Sequence, residues 1–307
     1  MPVPFESNTF ADTLMRASVA VSDSLHAAGS QATEGGGAFN FTELLDHLKD
    51  SHKIEVPFGH IELPHFPPVV IGGYAIDFSL TKHVVFLWIA GIILLVLAVS
   101  SARRYRKSLV PTGYAGALET ILLFVRDDIV LATMGTGGLK YLPYLMTTFC
   151  FILIMNLLGL VPYGVTSTSN IAVTAGLATI SFVMIQVAAI RAQGLGRYLA
   201  HLTGGVPWFL WPITVPVEFT GLFTKPFALC LRLFANMTGG HMVLVSLIGL
   251  IFLFQSYILS PVPVLFATGI SLLEILVAFL QAFIFTILTA LFMGVGIQAA
   301  EHHDEGH

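Results

Sequence analysis

Residues 229–241, LCLRLFANMTGGH, set a single arginine, Arg232, between the apolar triplets LCL (229–231) and LFA (233–235). A guanidinium stays protonated in any protein environment, and a charge within an apolar membrane helix marks a functional position by default. The surrounding sequence decides whether this stretch is such a helix. It continues in both directions as long apolar runs, so the fold is read outward from here as helices in lipid.

The 307-residue chain is 55% hydrophobic and only 10% charged, and its mean hydropathy is +0.83. Soluble domains carry roughly 25% charged residues, so the composition belongs to an integral membrane protein. A formal net charge of −4 supplies no basic field, which excludes nucleic acid as a partner. Cys150 and Cys230 both lie in apolar runs and read as small buried hydrophobes. The stretch ASVAVS (17–22), bounded by Arg16 and Asp23, is too short for the apolar core of a secretory signal. Insertion is therefore expected through the first membrane helix.

Residues 1–82 are rich in Gly, Ser, His and Pro and read as an extramembrane arm with limited structure, apart from a helix-like patch FTELLDHLKDSH (41–52). Its histidines, from His26 to His83, are irregularly spaced and lack clustered carboxylates or cysteines, so no metal site is expected. No cofactor is expected either. A haem would need converging axial ligands, and His83, His201 and His241 form no such pattern.

The membrane domain spans 83–300 and opens with HVVFLWIAGIILLVLAVS (83–100), close to the ~20 residues a crossing requires. Arg103, Arg104, Arg106 and Lys107 follow at once and place that end in the cytoplasm. In YAGALETILLFVRDDIVLATMG (114–135), Leu118, Ile121, Leu122, Val125 and Ile129 share a face opposite Glu119 and Arg126, which predicts an interfacial amphipathic helix. Two further crossings are read in 141–164 and 170–190, with Lys140 before the first and Arg191 and Arg197 after the second.

Residues 206–259 and 261–298 are both too long for upright crossings, since the second alone gives a helix of ~57 Å against ~30 Å of hydrocarbon. Pro207, Pro212, Pro216 and Pro226 further restrict a straight path. The expected fold is an all-α integral membrane protein with about five crossing helices, the last two (about 206–300) forming a strongly tilted hairpin. This topology leaves the N-terminal arm outside and the tail EHHDEGH (301–307) in the cytoplasm.

Ionisable groups are sparse in the hairpin: Glu218, Lys225, Arg232, His241 and Glu274. On a continuous helix Glu218, Lys225, Arg232 and Asn236 share one face. Glu218 is ~21 Å from Arg232 along the axis, beyond contact, so the arginine needs another anion. Either Glu274 folds back to it, or the anion comes from a second protein or a transported substrate. Gly239 and Gly240 would allow close approach of another backbone or a simple kink. His241 lies opposite Arg232, while Glu274 and Gln281 are spaced by seven and share a face. An imidazole beside a carboxylate suits proton relay or a structural hydrogen bond.

Taken in order, NLLGLVP (156–162), FTKPFALCLRLFAN (223–236), LRLFANMTGGH (231–241) and LQAFIFTILT (280–289) resemble the membrane-embedded subunit a of F-type ATP synthases, over roughly 75–300. The resemblance implies that Arg232 is the family's essential arginine, facing the ion-binding carboxylate on each helix of the rotating c-ring. It further implies a polar access route through Glu218, Asn236, His241, Glu274 and Gln281. An acid often found near Asn170 in the family is an amide here, which weakens a role at that position.

The implied activity is proton translocation coupled to ring rotation, with ATP chemistry in other subunits and the proton as the default ion. The implied partners are the c-ring, the subunit b peripheral stalk, the remaining F1F0 subunits and membrane lipid, in a bacterial plasma membrane. A stand-alone secondary ion transporter is the alternative, and it would usually show an internal repeat. No second copy of the Arg232 element is found.

Overall fold

The computed structural model describes residues 53–56, 59–62, 69–71, 74–76, 81–106, 113–161, 167–196, 198, 208–254 and 261–304. The helix-like patch at 41–52 lies outside them. Before the first membrane helix, β1 (Lys53–Val56) pairs antiparallel with β2 (Gly59–Glu62), Lys53 opposite Glu62. Likewise β3 (Val69–Ile71) pairs with β4 (Tyr74–Ile76). No strand was expected in this arm. Its short Val, Ile and Tyr segments carry β propensity that the surrounding Gly and Pro obscure.

Among the described residues, five helices are long and apolar enough to cross a membrane. The first, α1 (Lys82–Tyr105), turns Trp88, Ile92, Leu95 and Val96 outward, as expected of a helix whose solvent is lipid, and carries Arg103 and Arg104 in its last turn. The Arg104 guanidinium sits 5.0 Å over the ring of Tyr114, which begins α2 (Tyr114–Phe124). Gly113, at φ 69°, makes the corner between them.

The amphipathic segment does not continue as regular α-helix. Residues Val125–Leu131 form a π-helix, followed by a short turn of α-helix at Ala132–Met134. The wider π turn shifts the phase of the face, so the adjacent Ile129 and Val130 are both buried together with Val125 and Met134. Val125 and Ile129 of the predicted face are thus in the core, whereas Leu122 is exposed.

A 3₁₀ turn (Thr136–Tyr141) leads into α3 (Leu142–Gly159), which has Pro143 in its first turn, where the missing N–H costs no helix bond. α3 packs against α1 and the π segment. Its Leu145, Phe149, Ile152 and Met155 form the centre of the core with Leu229, Leu233, Ala282 and Phe285. Phe149 meets Phe124 and Phe279 edge to face, at centroid distances of 6.1 and 5.7 Å. Cys150 and Cys230 are buried free thiols, as the sequence implies.

The turn Ser167–Ser169 precedes α4 (Ile171–Gln193). Asn170 caps this helix, its Oδ1 accepting from the Ala172 N–H at 2.9 Å. Caps of this type are worth roughly 1 kcal/mol, and Asp caps as well as Asn, so the amide keeps a structural use at this position. The far end of α4 is tied down by Gln193, whose Nε2 donates to the Gly296 carbonyl at 2.7 Å.

The last two helices, α5 (Trp211–Phe254) and α6 (Pro261–Asp304), have 44 residues each. At ~1.5 Å per residue each is ~66 Å long, about twice the hydrocarbon thickness. α5 runs through Pro216 and Pro226 without breaking, although each proline leaves one carbonyl a turn earlier without its usual donor. The described residues of Val243–Gly269 belong to one compact unit and those of His52–Met242 and Ile270–His307 to a second. All the candidate site residues belong to the second of these units.

Candidate functional site

Burial along α5 separates two faces. Leu229, Cys230, Leu233 and Met237 point into the core, while Ala228, Leu231, Arg232, Ala235 and Gly239 are exposed. The spacing is helical, so this division follows from the sequence once the orientation of one residue is known. Arg232 therefore lies on the outside of the chain, in a stripe of small side chains, and not between its helices. Among the described residues it has no hydrogen bond or ion pair.

Glu274, the internal anion that the sequence left open for Arg232, is elsewhere. It is 5% exposed and packs on the backbone of Gly240, where an added Cβ would come within 2.7 Å of Oε1. Its Oε2 is enclosed and has no hydrogen-bond partner among the described residues. The two glycines thus differ: Gly240 leaves room for Glu274, whereas Gly239 faces open space. The close approach foreseen at this pair is made at Gly240 by a side chain of the next helix.

His241, next to Gly240, is half-buried. No hydrogen bond joins His241 directly to Glu274. A water between them, or a rotation of either side chain, would be needed to pass a proton.

Of the predicted stripe, Glu218, Arg232 and Asn236 are exposed and Lys225 leaves it. Lys225 is half-buried and turned toward α6, its Nζ 4.8 Å from the centre of the Phe292 ring, a cation–π contact that holds its charge without an acid. Asn236 also reaches to α6, its Nδ2 donating to Gln281 Oε1 at 2.7 Å. Gln281 is 1% exposed and its Nε2 has no hydrogen-bond partner among the described residues. A buried amide donor without a partner is costly in a dry site.

Sequence reasoning missed the polar residues that support α6 from the other helices. Asn156 of α3, fully enclosed, donates from Nδ2 to the Ala278 carbonyl at 3.4 Å and accepts from Thr168 Oγ1 at 2.8 Å. Thr174 of α4 contacts the Cys230 thiol at 3.4 Å. One signal was available: Asn156 is the only strongly polar residue in the run FCFILIMNLLGLV (149–161), and an amide buried in lipid has to find partners.

Comparison with known proteins agrees with this architecture. The sequence model of the ATP synthase A chain family matches residues 84–294. The ATP synthase subunit a of Chloroherpeton thalassium is 50% identical over 269 residues, covering 86% of this chain and 79% of the relative. "ATP synthase subunit a 2" of Prosthecochloris aestuarii is 48% identical over 291 residues, covering 93% and 88%. The ATP synthase subunit a of Myxococcus xanthus is 52% identical over 236 residues, covering 76% and 78%. With a match that takes in all of Arg232, His241, Glu274 and Gln281 and five membrane-length helices around them, the chain is a multi-pass membrane protein that belongs to the ATP synthase subunit a family.

Proposed function

We propose that this chain is the stationary proton-translocating subunit of a bacterial F-type ATP synthase, working against the ring of c subunits. The observation that carries this reading is Arg232: a permanent cation, exposed on an apolar helix and without a counter-ion among the described residues. Such a group is stable in a membrane only if an anion is supplied from outside the chain. A carboxylate on a ring helix is an anion of that kind, and the small residues Ala228, Ala235 and Gly239 around Arg232 would let the ring approach closely.

In this mechanism a ring carboxylate loses its proton to one aqueous half-channel and passes Arg232 as the anion, because a fixed cation favours the charged form. It is reprotonated from the other half-channel. Arg232 thereby blocks direct proton transfer between the two, and a proton crosses only by riding the ring. The electrochemical work of ~2.3 kcal/mol per charge per 100 mV then becomes torque. Glu218, Asn236, His241, Glu274 and Gln281 line the polar access route to the ring. ATP chemistry belongs to other subunits, and the b subunits of the peripheral stalk hold this chain still.

The basic residues Arg103, Arg104, Arg106, Lys107, Lys140, Arg191 and Arg197 put the loops that bear them in the cytoplasm. Residues 1–82 are then an outer arm, 83–300 the membrane domain and 301–307 a cytoplasmic tail. With ~66 Å of helix against ~30 Å of hydrocarbon, α5 and α6 lie strongly tilted along the ring. The test is Arg232→Ala in inverted vesicles carrying the assembled complex. ATP-driven acidification is expected to disappear, and full retention of it would refute the proposal.

A further inference from the structure

A cavity of about 690 Å³ opens between α1, α2 and α3 and shares no residue with the candidate site. Its walls are mostly apolar, supplied by Leu94 and Ala98 of α1, Leu118 and Leu122 of α2, and Met146 and Cys150 of α3. It follows α1 from Gly91 to Tyr105, ~21 Å of helix, which is somewhat more than one leaflet of a ~30 Å hydrocarbon core. Spread over that length the volume has a cross-section of ~33 Å², against ~80–110 Å² for a helix of 10–12 Å diameter. The space is too narrow to take in another membrane helix and has the proportions of extended hydrocarbon.

Polar side chains line it at the end of α1 that carries the basic cluster: Ser101, Tyr105 and, from α2 and α3, Glu119 and Thr147. Thr147 is satisfied, donating to the Pro143 carbonyl at 2.7 Å. Ser101 is 7% exposed, and its Oγ has no hydrogen-bond partner among the described residues. An enclosed hydroxyl in an apolar wall is costly without an acceptor, so an acceptor brought into the cavity would relieve it. Glu119 has no ion pair among the described residues. Arg103, Arg104 and Arg106 stand exposed at the same end of α1, with the Arg104 guanidinium over the Tyr114 ring at the corner between α1 and α2.

We propose that this cavity binds an acyl chain of a glycerophospholipid whose headgroup carries both a phosphate and a primary ammonium, of the phosphatidylethanolamine type. The chain fills the apolar wall, and Ser101, one turn deeper in the membrane than Tyr105, donates to an ester carbonyl. The arginines at the end of α1 attract the phosphate. Glu119 accepts from the ammonium and disfavours a headgroup of net negative charge, while a quaternary ammonium has no N–H to give it. The inference goes beyond proton translocation and uses only the placement of the last turn of α1 at the membrane surface.

The experiment places the assembled complex in vesicles of equal parts phosphatidylethanolamine, phosphatidylcholine and phosphatidylglycerol, with one lipid at a time carrying a photoreactive diazirine in an acyl chain, and maps the labelled residues by peptide mass spectrometry. The ethanolamine probe should label Leu94, Ala98 and Met146 about tenfold more than either other probe, the scale of one hydrogen bond to a charged group. Ile180 and Val183, exposed on α4, should be labelled alike by all three. Glu119→Gln should remove the preference for ethanolamine over choline, and Ala98→Phe, which fills the cavity, should suppress labelling of Leu94 and Met146 by every probe. Equal labelling of the cavity by the three probes in the wild type overturns the proposal, as does preference for the glycerol probe. Absence of cavity labelling, with a helix of another subunit covering the groove, overturns it too. The wild-type map decides by itself, so failure of a variant to assemble does not rescue the proposal, and since pumping is not the readout the result stands apart from the translocation mechanism.

Discussion

The carboxylate of Glu274 occupies the space that a side chain at Gly240 would need: a Cβ there would lie 2.7 Å from Oε1 and 3.2 Å from the carboxyl carbon. A polar group of α6 is thereby held against α5 beside His241, at a point where α5 offers no side chain. Since the obstructing atoms are the end of a flexible acid, an added methyl group would move Glu274 and leave the helix intact.

Gly240→Ala is accordingly expected to assemble normally but to lower coupled proton pumping by about tenfold or more, since a displacement of ~1 Å of a reacting group can cost ~10²-fold. Gly176→Ala, on the exposed side of α4 with nothing near its Cβ, should leave pumping unchanged. Adding Glu274→Asp to Gly240→Ala shortens the acid and should recover part of the loss. Pumping can be followed by quenching of a pH-sensitive dye in vesicles with matched complex content.

If His241 and Glu274 work as a pair, the identity of each matters less than the presence of both. The exchanged variant His241→Glu with Glu274→His should retain more pumping than His241→Leu or Glu274→Leu alone. Equal loss in all three would count against the pairing, even though Gly240 brings the two positions together.

At the π segment, Arg126 Nε and Nη2 donate to the two carboxylate oxygens of Asp127 at 2.7 and 3.0 Å. These hydrogen bonds, more than charge alone, hold the Asp127 carboxyl below its ordinary 3.8. A group whose folded value is depressed stabilises the fold above its unfolded value, and that contribution is lost as pH falls through the folded one. Any effect is therefore confined to pH below about 4 and is absent near neutrality. Carbon NMR of labelled aspartate should find Asp127 titrating low in the wild type and returning upward in Arg126→Gln. Both side chains are exposed, so the pair should add little to stability.

Most of the architecture was legible because lipid imposes long apolar runs and because their flanking Arg and Lys residues are few and clustered. The length of 206–259 and 261–298 foretold helices too long to stand upright, and both run unbroken for 44 residues. The π turn at Val125–Leu131 was not legible, since a change of phase by less than one residue does not interrupt an apolar pattern. The short hairpins in the arm were hidden by the Gly and Pro around them.

At the site, the sequence named the polar residues but not their directions. Helical spacing grouped Lys225 with Arg232, yet a long flexible stem let Lys225 turn to Phe292 while Arg232 stayed outward. The supporting contacts of Asn156, Thr168 and Asn170 depend on pairings far apart in sequence or on the cap of a helix end, which no periodicity reports.

The central claim is that Arg232 separates two proton routes, and the passive leak in vesicles stripped of the ATP-hydrolysing sector tests it most directly. Measured together with ATP-driven pumping by the intact complex, Arg232→Ala should show an undiminished or increased passive proton leak while coupled pumping is lost. A variant that still pumps at the wild-type rate, with no change in leak, would contradict the account.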